Sequence, residues 1–143
     1  MTVDLPTEEA EDCVRFLSEQ GIDQIFLLAP NSPEARIAKM GQVGSGYLYY
    51  VSLKGVTGAG HLDTQDVERK LAQIRAITSL PVGVGFGVKD AQTAGVIAGI
   101  ADGVVVGSAF ISKIEANLDN PSKAHDEIIE LIRSMRAAMD LSV

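Results

Sequence analysis

Cysteine is almost absent from this 143-residue chain. Cys13 is the sole thiol, which excludes an internal disulfide and fits a reducing, cytoplasmic setting. It sits among the helix-spaced apolar residues Ala10, Val14 and Leu17, so buried packing is expected of it. Basic residues are scarce as well: 12 Lys and Arg stand against 19 Asp and Glu, a formal charge of −7, with no Lys/Arg run. That balance gives no overall attraction for nucleic acid or anionic lipid, and neither is expected as a partner. No apolar run approaches the roughly 20 residues that cross a bilayer, and no basic-then-apolar signal opens the chain. The two histidines, His61 and His125, have no Cys or carboxylate at ligand spacing. A metal site is therefore not expected. His61 reads as a solvated loop residue and His125 as a surface residue of the last helix, and no cofactor is implied. Linkers, low-complexity segments and short-period repeats are missing too.

What is present is an ordinary globular composition, 46% hydrophobic and 22% charged, of a length that suits one domain. It is short for a closed eight-stranded α/β barrel, typically about 250 residues. Val3-Asp4-Leu5-Pro6 reads as the end of a strand. Thr7 is expected to cap a helix with apolar positions 10, 13, 14 and 17, ended by Gly21. The run Ile25-Phe26-Leu27-Leu28 suits a strand buried on both sides. Ser32-Pro33-Glu34 supplies a hydroxyl cap and a first-turn proline for a helix ending near Gly41 or Gly44. Residues 46–52 form the next strand, and Asp63 or Thr64 opens a helix with Val67, Leu71, Ile74 and Ile77 on one face. A strand over 81–88, a helix from Asp90 to about Ile100 and a strand over 102–107 follow. Next come a short helix after Ser108 and a long one from Asn120-Pro121, with Ile128, Ile132, Met135 and Met139 on one face. Four strands, each followed by a helix, imply a parallel sheet. The architecture is either a doubly wound open sheet or part of a (β/α)8 barrel.

The glycines decide between these. Gly55-Val56-Thr57-Gly58, Gly85-Phe86-Gly87 and Gly107-Ser108 fall at or just after successive strand ends. Lacking Cβ, glycine lets backbone N–H groups approach a ligand, and a helix N-terminus adds partial positive charge that holds phosphate without Lys or Arg. Phosphate-binding barrels build their anion site from the last two βα loops and an extra short helix, as the last two strand ends do here. A doubly wound nucleotide fold puts its glycine loop after the first strand, where this chain has Ala29-Pro30-Asn31.

These residues resemble the tryptophan synthase alpha subunit family. Gly46-Tyr47-Leu48-Tyr49-Tyr50-Val51-Ser52 with Gly55-Val56-Thr57-Gly58-Ala59 looks like its strand 6 and mobile loop 6. Residues 81–88 resemble strand 7 and the phosphate loop, 102–109 resemble strand 8 and the helix closing the phosphate site, and 3–6 resemble the end of strand 4. The resemblance spans essentially the whole chain. It implies a single unit over 1–143, the C-terminal half of a (β/α)8 barrel. It also implies cleavage of indole-3-glycerol phosphate to indole and glyceraldehyde 3-phosphate, with indole passed to a beta subunit. By the same resemblance Tyr49 lies beside the substrate, and Thr57 closes the loop by bonding a catalytic aspartate. Gly58, Gly87, Gly107 and Ser108 hold the phosphate, Gly85 and Phe86 shape that loop, and Leu27 and Val105 line the indole pocket.

The family's two acid–base carboxylates belong to the other half of the barrel, and no residue here aligns with them. Asp4 and Asp63 are poor substitutes, and the chain is expected to be inactive alone. Four strands would leave two open edges and an apolar inner face drawn from Phe26, Leu28, Val51, Val84 and Val105. Association with a missing N-terminal half, or with a second copy, is therefore expected. Two alternatives remain on the sequence alone. One is a non-catalytic phosphate-binding or assembly fragment. The other is a different phosphate-binding barrel, of the ribulose-phosphate epimerase or indole-glycerol-phosphate synthase type.

Overall fold

The computed structural model describes residues 1, 6, 9–52, 64–85 and 87–142. Helix α1 (Glu11–Glu19) starts with Glu11 and Asp12 at its positive end. Gly21, with φ 70°, ends it: its N–H donates to the Ser18 carbonyl, and the Ile22 N–H donates to that of Leu17 at 2.9 Å. The helix thus begins later than a Thr7 cap would have it, and Thr7 itself lies outside the described residues. Cys13 is half-buried rather than buried, because α1 buries none of its residues.

Strand β1 (Phe26–Leu28) leads into α2 (Glu34–Val43), β2 (Leu48–Val51) and α3 (Thr64–Ile77). Ser32 does not cap α2. Its hydroxyl accepts from the Ala29 N–H at 3.0 Å, and the Pro33 carbonyl takes the Arg36 and Ile37 N–H groups. The turn after β1 uses the hydroxyl first. Strand β3 (Val82–Gly85) leads to α4 (Ala91–Ala98), where the Asp90 carboxylate caps as expected, accepting from the Thr93 N–H at 2.8 Å. Then come β4 (Gly103–Val105), α5 (Ser108–Glu115) and α6 (Pro121–Asp140), the last capped by the Asn120 side chain with Pro121 in its first turn.

The sheet runs β1-β2-β3-β4, parallel throughout. Successive strand residues face opposite sides. Phe26, Leu28, Leu48, Tyr50, Val82 and Val84 are buried in one cluster with Ile37 and Met40 of α2, Val67, Leu71 and Ile74 of α3, Ile97 of α4 and Met135 of α6. The helices gather on that face. The alternate set (Leu27, Tyr49, Val51, Gly103 and Val105) is outside the cluster and only half-buried. Phe26, Leu28 and Val84 therefore belong under the helices and not on the open inner face with Val51 and Val105. Likewise β1 is covered on one side, not two. In α6 the inward residues are Ala124, Leu131, Met135 and Met139, while Ile132 points out at 42% exposure. Helices α4 and α6 meet closely at Gly95, where a Cβ would stand 3.2 Å from the Ala138 carbonyl oxygen.

Candidate functional site at the C-terminal rim of the sheet

The strand register gathers the expected site residues. Leu27 pairs with Tyr49, and Gly85 pairs with Val51 on one side and Val105 on the other. Leu27, Tyr49, Gly85 and Val105 thus all belong to the face without helices. Two residues past the paired Gly85 and Val105 come Gly87 and Gly107, side by side in sequence offset beyond the C-terminal end of the sheet. Both are exposed, as is Ser108.

Each glycine has its own physical reason. Gly87 has φ +78°, a left-handed conformation that L side chains rarely adopt. Gly107 has no positive φ and, among the described residues, no neighbour within 4 Å of a would-be Cβ. What its missing side chain spares is open space at the start of α5. There the Phe110 and Ile111 N–H groups donate to the Gly107 carbonyl, and the N–H groups before them have no intrahelical acceptor. The first turn of α5 carries no acidic residue to compete for that positive end.

Gly85 is required by Tyr49. A Cβ at Gly85 would lie 2.2 Å from the Tyr49 hydroxyl oxygen, so the phenol lies flat across β3. Burial, and then the neighbouring Tyr47, push the Tyr49 phenol above its usual pKa. Tyr47 repeats the arrangement one step down, its ring 3.2 Å from a would-be Cβ on Gly83. Sequence reasoning did not single out Tyr47. The signal was available: two tyrosines and two glycines at matching spacings of two on neighbouring strands. Ser52 was missed too. Its N–H donates to the Gly85 carbonyl at 3.2 Å, while its buried hydroxyl has no hydrogen-bond partner.

Thr57, Gly58 and Phe86 lie outside the described residues, as do Asp4, His61 and Asp63. His125 is exposed on α6 beside Asp126. Among the described residues no group of His, Cys, Asp or Glu is placed to hold a metal, and no helix is long and apolar enough to cross a membrane.

Comparison with known proteins decides the family. The model of the tryptophan synthase alpha chain family matches residues 1–140. The chain belongs to the tryptophan synthase alpha chain family. It is 56% identical over 140 residues to the tryptophan synthase alpha chain of Methylococcus capsulatus, covering 98% of this chain and 52% of that one. The alpha chain of Nitrosococcus oceani is 52% identical over the same coverage. The crystal structure of the Legionella pneumophila alpha subunit superposes with a TM-score of 0.83 at 36% identity, covering 96% of this chain and 50% of that one. A Mycobacterium tuberculosis tryptophan synthase structure, in an open form with BRD0059 bound, gives 0.76 at 30% identity, covering 95% and 48%. The chain therefore spans about half the length of the tryptophan synthase alpha chains it matches. Its four parallel strands are a half-barrel of the (β/α)8 kind, and the open doubly wound sheet and the other phosphate-binding barrels are set aside.

Proposed function

We propose that this chain supplies the phosphate-gripping half of a lyase site that cleaves indole-3-glycerol phosphate to indole and glyceraldehyde 3-phosphate in tryptophan biosynthesis. Gly87, Gly107 and Ser108, with Gly58, hold the phosphoryl group by backbone N–H groups and one hydroxyl, and Gly85 and Phe86 shape the loop. Leu27 and Val105 line the indole pocket, Tyr49 stands beside the substrate, and Thr57 supports closure of the site. One observation carries this reading: the open space at Gly107, at the positive end of α5, where the glycine has no positive φ and meets no close neighbour among the described residues.

Proton transfer to the indole ring needs an acid or base within hydrogen-bond reach. By family resemblance those carboxylates stand on the N-terminal half of the barrel, which this chain does not match. The chain alone is inactive in this reading, and residues 1–143 act as one unit that needs a complementing half-barrel. A tryptophan synthase beta subunit is the partner that takes the indole. The test is indole release from indole-3-glycerol phosphate by the chain alone and after addition of the N-terminal half of a family member. No release alone and release on complementation are expected. Turnover by the chain alone would overturn the missing-carboxylate argument.

A further inference from the structure

Tyr47, just ahead of β2, and Tyr49 within it are two residues apart and share the face without helices. Register sets Tyr49 level with Gly83, and sets Tyr47, one step below the Leu48–Val82 pair, level with Pro81. Neither ring stays at its own level. A Cβ on Gly85 would collide with the Tyr49 phenol, and one on Gly83 would stand 3.2 and 3.3 Å from two edge carbons of the Tyr47 ring. Both rings therefore climb two residues along β3 toward the C-terminal rim, and Tyr47 fills the place beside the backbone of Tyr49. A strand side chain has two common χ1 rotamers and leans along the strand. With Tyr47 over Gly83, the lean over Gly85 is the one left to Tyr49. Val105 stands on the other side, its Cγ2 3.5 Å from the same would-be Cβ on Gly83. Tyr47, Gly83, Gly103 and Val105 are walls of a cavity of about 350 Å³ toward the base of the sheet.

We propose that Tyr47 is a positioning residue of the substrate site, its ring propping Tyr49 toward the rim and, with Val105, setting the depth of the indole pocket. The inference rests on the lyase reading above. A barrel interior is filled by layers of side chains, and the paired Gly83 and Gly103 bring none. Tyr47 supplies that bulk from the neighbouring strand, and Gly83 is what admits its ring. Without the ring, Tyr49 gains the lower lean and the indole ring loses what stands beneath it, while Gly87, Gly107 and Ser108 at the rim are untouched. The phenols also sense one another: after burial, Tyr47 is the second cause that raises the Tyr49 pKa.

The test reads geometry and turnover separately. An aromatic ring over a glycine moves its α-proton NMR signals upfield, so Gly83 reports on Tyr47 and Gly85 on Tyr49. In the labelled full chain, Tyr47→Ala is expected to abolish the Gly83 shift and to shrink that of Gly85, whereas Tyr47→Phe keeps both. With an N-terminal half from the family added, Tyr47→Ala is expected to raise KM for indole-3-glycerol phosphate about tenfold with a smaller change in kcat, and Tyr47→Phe to restore the parent value. Affinity for inorganic phosphate is expected to stay at the parent value in both. If Tyr47→Ala loses its far-UV circular dichroism, Tyr47→Leu, which has no ring to reach across to Gly83, takes its place. A Gly85 signal indifferent to loss of the ring would overturn the proposal. So would an unchanged KM, a phenylalanine as damaging as alanine, or phosphate affinity falling in step with KM. A parent complex without turnover would count against the lyase reading instead, and the Gly85 signal would still decide whether Tyr47 holds Tyr49 in place.

Discussion

At the scale of single residues, the Tyr49–Gly85 contact ties the fold to the candidate site. A Cβ at Gly85 meets the hydroxyl end of the Tyr49 ring, so Gly85→Ala forces the phenol off β3 and away from the position proposed beside the substrate. The two sites are expected to couple by about 0.5–3 kcal/mol in a double-mutant cycle read by urea denaturation. In a Tyr49→Ala background, Gly85→Ala is expected to be neutral or stabilising, because alanine is the better strand residue. Additive losses would show that the ring does not lie where described. Asp90 allows a pH argument. The Thr93 hydroxyl and backbone N–H both bond its carboxylate and hold its pKa below the usual carboxylate value. A carboxylate depressed on folding stabilises above its unfolded pKa and loses that contribution as pH falls through the folded one. Asp90→Ala is thus expected to cost about 1 kcal/mol at neutral pH, with the difference from the parent chain vanishing at strongly acidic pH. A gap independent of pH would contradict it.

At the scale of elements, the sequence told more about where helices begin than about which way strands face. Asp90 and Asn120 cap as expected because their side chains meet an N–H three residues on, a purely local event. Ser32 carried the same signal and failed, since the turn after β1 offered its hydroxyl the Ala29 N–H instead. The faces of β1 and β3 were illegible for a different reason. Phe26-Leu27-Leu28 is apolar at every position, as a strand between helices and a barrel interior must be, so no alternation marks the covered side. Only pairing with Tyr49 and Gly83 assigns Leu27 to the second face. The face of α6 was misjudged at Ile132 because a helix beside an edge strand keeps apolar residues that nothing among the described residues covers. Packing between elements gives another test. A Cβ on Gly41 of α2 would stand 2.7 Å from Cβ of Thr78, just past α3, and a Cβ that close to the main chain cannot swing aside. Gly41→Ala is expected to destabilise by about 1–3 kcal/mol through overpacking. An unchanged denaturation midpoint would mean that α2 and α3 are less closely set.

At the scale of the whole molecule, the sheet is half of something. One face carries all the core-forming helices, the other carries the candidate site, and among the described residues β1 and β4 each pair on one side only. The candidate site was legible to the extent that its glycines fall at strand ends and its residues match a family pattern. The chain spans about half the length of the alpha chains it matches, so whatever the other half contributes is not legible in these residues. The central claim, that the rim at Gly87, Gly107 and Ser108 is an amide-lined cradle for a phosphoryl group, is tested most directly by nitrogen–proton NMR. Inorganic phosphate is titrated into the labelled chain, alone and with an N-terminal half from the family added. The account predicts that the Gly87, Gly107 and Ser108 amide signals move together and saturate, most tightly in the complemented protein, while those of α2 and α3 stay in place. Saturating shifts elsewhere, or none at these three amides in the complemented protein, would contradict it.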